Sequence, residues 1–397
     1  MLTRAQLHRE EMQRQGARRA RIAALNWGSV ILCQAPIDHI CHFLDRKDMT
    51  ALQTTAVRMP ENVRKVIRVR NDKMPEGKRL KNLEGPFCVC HMFKQLLKRE
   101  GRYPLDMVAT GGFEDGRIVN TVKSMDLMTK RCMTLAPMIT ARFRHSSAVV
   151  NGKLFVLGGF NHDEEVLSSV ECFDPETGLW SAVSPMSRPR LGAGAAVLGG
   201  KIFVVGGSDG AQFLSSVESF DPVTDRWTVV APMNKHRVRH GVVSAQGKIF
   251  AVGGLSENRE ESYEILKSVE YFDPLTNVWT NISPMNEDRD HVEVAVLGSK
   301  LFAIGGEDAD HHRLSSVECL DLSVPNSAWT PVAPMTMPRS VFGVAVTGEK
   351  IYAFGGELDS AMNSMECFDP NDGPGGQWAV MNETPNFFTG SIRFAAC

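Results

Sequence analysis

Several absences narrow the field first. No run of about 18 apolar residues occurs, and the opening MLTRAQLHREEMQRQGARRARIAAL lacks the apolar centre of a secretory signal. The expectation is a cytoplasmic protein with no membrane partner. Nine cysteines, an odd number, lie at Cys33, Cys41, Cys88, Cys90, Cys132, Cys172, Cys319, Cys367 and Cys397. They lack the dense pairing of a small secreted scaffold, so reduced thiols are expected. Neither His-Glu-x-x-His nor Gly-x-x-x-x-Gly-Lys-Ser/Thr is present, which removes zinc-protease and P-loop chemistry. Cys33, His39, Cys41 and His42, like Cys88, Cys90 and His91, show no paired Cys-x-x-Cys spacing, so no metal site is expected. The chain reads as a non-enzyme without a cofactor.

What is present is uneven in charge and regular in pattern. The 397 residues carry a formal net charge of −2. That small value hides 21 Lys+Arg against 10 Asp+Glu in residues 1–104, and 23 against 36 in the remainder. Two regions with different partners are expected, 1–103 and 104–397. In the second, paired glycines recur at Gly111-Gly112, Gly158-Gly159, Gly206-Gly207, Gly253-Gly254, Gly305-Gly306 and Gly355-Gly356, with spacings of 47, 48, 47, 52 and 50. A period near 50 marks a repeat architecture.

Each unit reads as strands. LFVLGG, IFVVGG, IFAVGG, LFAIGG and IYAFGG are continuous apolar runs, as in strands covered on both faces. SSVECFD and its counterparts follow, usually ending in Asp-Pro, where proline stops the ladder and turns the chain. A tryptophan comes next at Trp180, Trp227, Trp279, Trp329 and Trp378, suited to packing between neighbouring sheets. Four strands per unit and six units predict an all-β, six-bladed propeller. The first unit begins at its second strand, DMVATGG, and the last is followed by FFTGSIRFAAC. Residues near 388–396 are therefore expected to supply the missing inner strand and close the ring.

The Gly-Gly, Ser-Val-Glu, Asp-Pro, Trp and Pro-Met-x-x-x-Arg pattern resembles the kelch repeat over roughly residues 104–397. Cys132 stands where the first unit should have its tryptophan. The resemblance implies a propeller like that of kelch-like ubiquitin-ligase substrate adaptors, which hold acidic peptides in an Arg- and Ser-lined central pocket. Its alternative is a kelch protein that binds actin and the cytoskeleton. Copper oxidases also use such propellers, but Tyr103, Tyr263, Tyr271 and Tyr352 form no ligand pattern with histidine.

In an antiparallel blade the glycine-pair loops and the Pro-Met-x-x-x-Arg loops share one face, the expected mouth. There the candidate partner-binding residues are Arg142, Arg190, Arg237, Arg289 and Arg339, with Arg144, His145, Arg239, His240 and His291 as irregular additions. Guanidinium groups favour a carboxylate-bearing or phosphorylated peptide. The five regular arginines have a second reading, as makers of blade-to-blade hydrogen bonds and partners of Glu171, Glu218, Glu270, Glu318 and Glu366. Acidic loops, NHDEEV, SENREESYEI and EDADHH, rim the same face, and the stretch 256–265 lengthens one of them.

Residues 1–103 are basic, and a mainly helical or disordered region is expected there. Ile37, Ile40, Phe43, Leu44, Met49, Leu52 and Val57 fall at helical spacing within 35–69. That stretch resembles an F-box, which implies docking to a cullin-type ligase; the region is too short for BTB and BACK domains together. ARRARI is compatible with nuclear import, but without interleaved aromatics nucleic acid is not an expected partner.

Overall fold

The computed structural model describes residues 106–114, 117–126, 132–257, 262–356, 364–373, 375–381 and 391–396. All regular elements among them are strands. The helices expected near 35–69 lie outside the described residues.

Five blades follow one another, each an antiparallel sheet of four strands. The first comprises Ser146–Val150, Lys153–Leu157, Val170–Asp174 and Leu179–Val183. The second runs from Gly194–Leu198 to Arg226–Val230, and the third from Gly241–Ala245 to Val278–Ile282. The fourth runs from Glu293–Leu297 to Thr330–Val332, and the fifth from Gly343–Thr347 to Gln377–Val380. Their inner strands adjoin one another.

The six-bladed expectation is corrected to five blades built from single repeats. The first glycine-pair unit does not make a blade by itself. It contributes Asp106–Glu114, Arg117–Asp126 and the three-residue strand Cys132–Thr134 to a composite sheet. The fourth strand of that sheet, Ser391–Ala396, comes from the far end of the chain and pairs antiparallel with Asp106–Glu114, Val108 opposite Ala395 and Ala109 opposite Phe394. It lies beside the inner strands of the first and fifth blades, the position the closure reading expects. The unit differs because it has neither its own inner strand nor the tryptophan that shapes the outer half of the others.

The cores lie between sheets. Phe155, Leu157 and Val170 of the first blade pack with Ile202, Val204 and Phe220 of the second. The second and third blades share Phe203, Val205, Phe272 and Trp279, and the fourth and fifth share Phe302, Ile304, Ile351 and Phe368. Each second strand is thus covered on both faces, which is why its sequence is continuously apolar while outer strands such as Leu179–Val183 are mostly exposed. The tryptophans are half-buried or buried, and the indole N–H groups of four of them tie adjacent units. Trp180 Nε1 donates to Ala136 O, Trp227 to Ser184 O, Trp279 to Ala231 O and Trp329 to Ser283 O, at 2.8–2.9 Å.

Candidate functional site at the propeller mouth

The Pro-Met-x-x-x-Arg loops carry the repeating part of this face. Arg142, Arg190, Arg237, Arg289 and Arg339 are 0–1 % exposed. Each pairs with the glutamate of its own blade: Arg142 with Glu171 at 2.7 Å, Arg190 with Glu218 at 2.8 Å, Arg237 with Glu270 at 3.0 Å, Arg289 with Glu318 at 3.1 Å and Arg339 with Glu366 at 2.8 Å. Each also donates through Nη1 to the carbonyl of the first glycine of the pair, as Arg237 does to Gly253 O at 2.9 Å. The same glutamates accept backbone N–H groups of the incoming loop, such as Asn234 N on Glu270 at 2.8 Å. Burial lowers the affinity of the Arg190, Arg237 and Arg339 guanidinium groups for their proton, and the paired carboxylates oppose that fall.

The arginine backbone completes the staple. Its carbonyl accepts the N–H of the second glycine in the preceding unit: Gly159 N to Arg190 O, Gly207 N to Arg237 O, Gly254 N to Arg289 O and Gly306 N to Arg339 O, each 2.8 Å. Gly206 has φ +61°, and a Cβ there would stand 2.5 Å from Arg237 O. Only glycine admits both that conformation and that approach. The second reading of the five arginines therefore describes their place: they are buried fasteners with no surface to offer a partner. His145 and His240, 1 % and 3 % exposed, are also enclosed between blades, His145 Nε2 lying 2.9 Å from Thr110 Oγ1.

Arg144, Arg239 and His291 remain at the mouth, partly exposed. They occupy the position two residues after the repeating arginine, where the backbone is left-handed in every blade: Arg144 φ 53°, Gly192 φ 60°, Arg239 φ 60°, His291 φ 51° and Val341 φ 51°. Four of the five are not glycine, and Val341 is β-branched, so the backbone holds strain here. Gly192 N donates to Arg144 O and Arg239 N to Gly192 O, both 2.8 Å, which links these residues into an arc before the inner strands. Arg144 lies over the Phe143 ring at 5.6 Å. Arg239 pairs across the blade boundary with Asp290, Nε to Oδ1 at 3.1 Å. Burial pushes the Asp290 carboxyl up to about 6 against the pull of Arg239.

Asp290 was not among the expected residues. Its signal is the departure from Phe143, Leu191 and Val238, which fill the same position in the first three blades, with Ser340 in the fifth.

Beside this arc lies a cleft of about 440 Å³, lined by Arg144 and Arg239, by Leu191, Val238, Leu255 and Ile265, and by Phe213 and Tyr263. The long loop at 256–265 builds its far wall as a small hairpin, Leu255–Glu257 paired with Tyr263–Ile265. Ser256 Oγ meets His236 Nδ1 at 2.9 Å and Lys235 Nζ meets Glu264 at 3.0 Å, pinning the hairpin to the third blade's incoming loop. Tyr263 is 65 % exposed and stacks on Phe213, with ring centroids 5.6 Å apart.

Two features with a chemical look have structural explanations. GGSDG at 206–210 carries a Gly-x-Ser-x-Gly spacing that the repeat pattern hides. A hydrolase elbow joins a strand to a helix, whereas this segment follows a strand and leads into another antiparallel strand. Ser208 Oγ is engaged locally, donating to Gln212 O at 3.1 Å and accepting Gly210 N at 3.2 Å. Asp308, Asp310 and His312 bring donor atoms within 4.8 Å of one another. That grouping is an exposed turn in which Asp308 caps the N–H groups of Asp310 and His312, at 3.0 and 2.8 Å. No helix among the described residues is long and apolar enough to cross a membrane.

Comparison with known proteins agrees with this architecture. The model of the KLHDC2/KLHL20/DRC7 Kelch-repeats domain matches residues 103–290, and the Kelch motif matches 288–336 and 338–383. Kelch-like protein 25 of Xenopus tropicalis is 43 % identical over 56 residues, 14 % of this chain and 10 % of that protein. Kelch-like protein 5 of Homo sapiens is 50 % identical over 40 residues, 10 % and 5 % of the two chains. Kelch-like ECH-associated protein 1A of Danio rerio is 38 % identical over 45 residues, 11 % and 8 %. The matched segments thus span a tenth or less of these relatives' lengths. A solved structure described as "Structure of YjhT" superposes with a TM-score of 0.57 at 17 % identity, covering 70 % of this chain and 98 % of that one, a likeness of fold. With the repeat matched over residues 103–336 and 338–383 and its fasteners in place, the chain belongs to the kelch-repeat β-propeller family, a protein-protein interaction module.

Proposed function

We propose that the propeller mouth captures a protein segment bearing carboxylate or phosphate groups and that the chain delivers this protein to a cullin-type ubiquitin ligase through its basic region 1–103. The observation that carries the capture half is the break in repeat symmetry. Arg144, Arg239 and His291 stand on one arc where the repeat itself demands no charge. Propeller framework residues recur in every blade; recognition has to use those that do not. Arg144 and Arg239 bring planar guanidinium donors suited to an anionic group, Arg239 through the edge that Asp290 does not engage. The ligase half rests on the resemblance of the repeats to substrate adaptors and of 35–69 to an F-box.

The experiment pairs the full chain with residues 104–397 in affinity purification, and with the double variant Arg144→Ala/Arg239→Ala. Recovery of a cullin scaffold with the full chain, its loss from 104–397, and loss of the captured protein from the double variant are expected, with a melting curve to confirm that the variant, which leaves Asp290 without its ion-pair partner, still folds. Co-sedimentation with actin filaments and no cullin recovery would favour the cytoskeletal reading instead.

A further inference from the structure

The cleft beside the arc is more than a margin of the mouth. Its lining is mostly apolar, through Leu191, Val238, Leu255 and Ile265 beside Ala309, with Ser208 and His311 as polar members, and it includes the Phe213–Tyr263 stack. An aromatic ring left 65 % exposed on a hairpin that is itself tied down by two side-chain contacts is held ready for a contact. This wall is particular to the third blade, because only there is the glycine-pair loop lengthened into a two-stranded hairpin among the described residues. Two guanidinium groups, Arg144 and Arg239, also line it, the second paired on its other side with Asp290. Between their positions on the arc stands Gly192, the one blade residue there without a side chain. A Cβ on Gly192 would stand 2.9 Å from Val238 Cγ2 and 3.4 Å from Arg239 Cγ, so the space above it adjoins the cleft wall.

We infer that this cleft is a specificity subsite for one large apolar side chain, Leu, Phe or similar, on the same extended segment whose acidic residue meets Arg144 and Arg239. A volume of about 440 Å³ accommodates such a side chain together with the backbone that carries it. Alternation along an extended strand places side chains of one face about 7 Å apart, which suits an acidic residue and an apolar one in close succession. Charge complementarity at the arginines selects the acid, and burial against the hairpin selects its neighbour. The inference rests on the capture reading above and narrows it: an acidic residue alone is not sufficient.

Its test is selection of random 12-residue peptides by phage display on the full chain, and in parallel on Tyr263→Ala/Ile265→Ser. Both substituted residues lie at the cleft surface, and a melting curve checks the folding of the variant. The wild type should enrich a motif with an acidic residue and a large apolar residue at a constant short offset. The variant should retain the acidic preference and lose the apolar one, with a selected wild-type peptide binding it at least about tenfold more weakly. Enrichment of an acidic motif without an apolar position, or an apolar preference that survives in the variant, overturns the subsite and leaves the capture reading standing. No enrichment on either protein overturns both.

Discussion

At the scale of single residues, the mouth is distinguished by one carboxylate. Asp290 stands at a repeat position that the first three blades fill with an apolar residue, is buried, and answers Arg239 from the next blade. Arg239, Glu307 and the His291 N–H are the groups that act on it. Burial raises its proton affinity most, Glu307 adds to that, and Arg239 and the N–H oppose it. With the native value at about 6, the folded protein binds more protons than the unfolded chain between roughly pH 4 and 6. Stability from this group therefore increases as pH falls from 7 toward 4 and is lost as pH rises through 6. Asp174, Asp221, Asp321 and Asp369 behave oppositely. Their side-chain or backbone donors hold them below the usual carboxylate range, so their contribution is lost only at lower pH. Urea titrations at pH 7.5 and 5.0 should show the wild type gaining stability relative to Asp290→Asn on acidification. An unchanged difference between the two proteins would contradict this account.

At the scale of the element, the unit of construction is the incoming loop with its arginine. The side chain clasps one blade while the carbonyl holds the preceding one, so a single residue type fixes both neighbours. Replacing Glu270 by Ala leaves Arg237 buried without its charge partner, and should cost about 3–5 kcal/mol in equilibrium unfolding. An exposed pair such as Lys153–Asp174 at 3.0 Å, where solvent screens the charges, should tolerate Asp174→Ala far better. The strands of these units were legible from apolar runs, Asp-Pro stops and the tryptophan period, because each records burial on a local pattern. The assignment of Arg142, Arg190, Arg237, Arg289 and Arg339 was not. A guanidinium is equally suited to a buried glutamate and to an acidic ligand, and only the packing of the glycine pair over it settles which.

At the scale of the whole molecule, closure depends on six residues from the far end. Ser391–Ala396 covers the edge of Asp106–Glu114 and stands between the inner strands of the first and fifth blades. A chain ending at Pro385 should expose that edge, lose its cooperative melting transition and associate through unpaired strands, as differential scanning calorimetry and light scattering would show. The amino-acid sequence by itself determined the kelch repeat, the strand pattern and the return of the last strand to the first unit. All three follow from hydrophobic periodicity and turn chemistry, which act over short stretches of chain. Tertiary structure decided that five repeats make blades of their own where the sequence reading counted six. It also buried the regular arginines, placed Asp290 against Arg239, and raised Tyr263 over an apolar cleft. Those outcomes depend on which residues from distant repeats come within a few ångströms, and hydrogen bonding and desolvation at that range are not written in any one stretch of sequence.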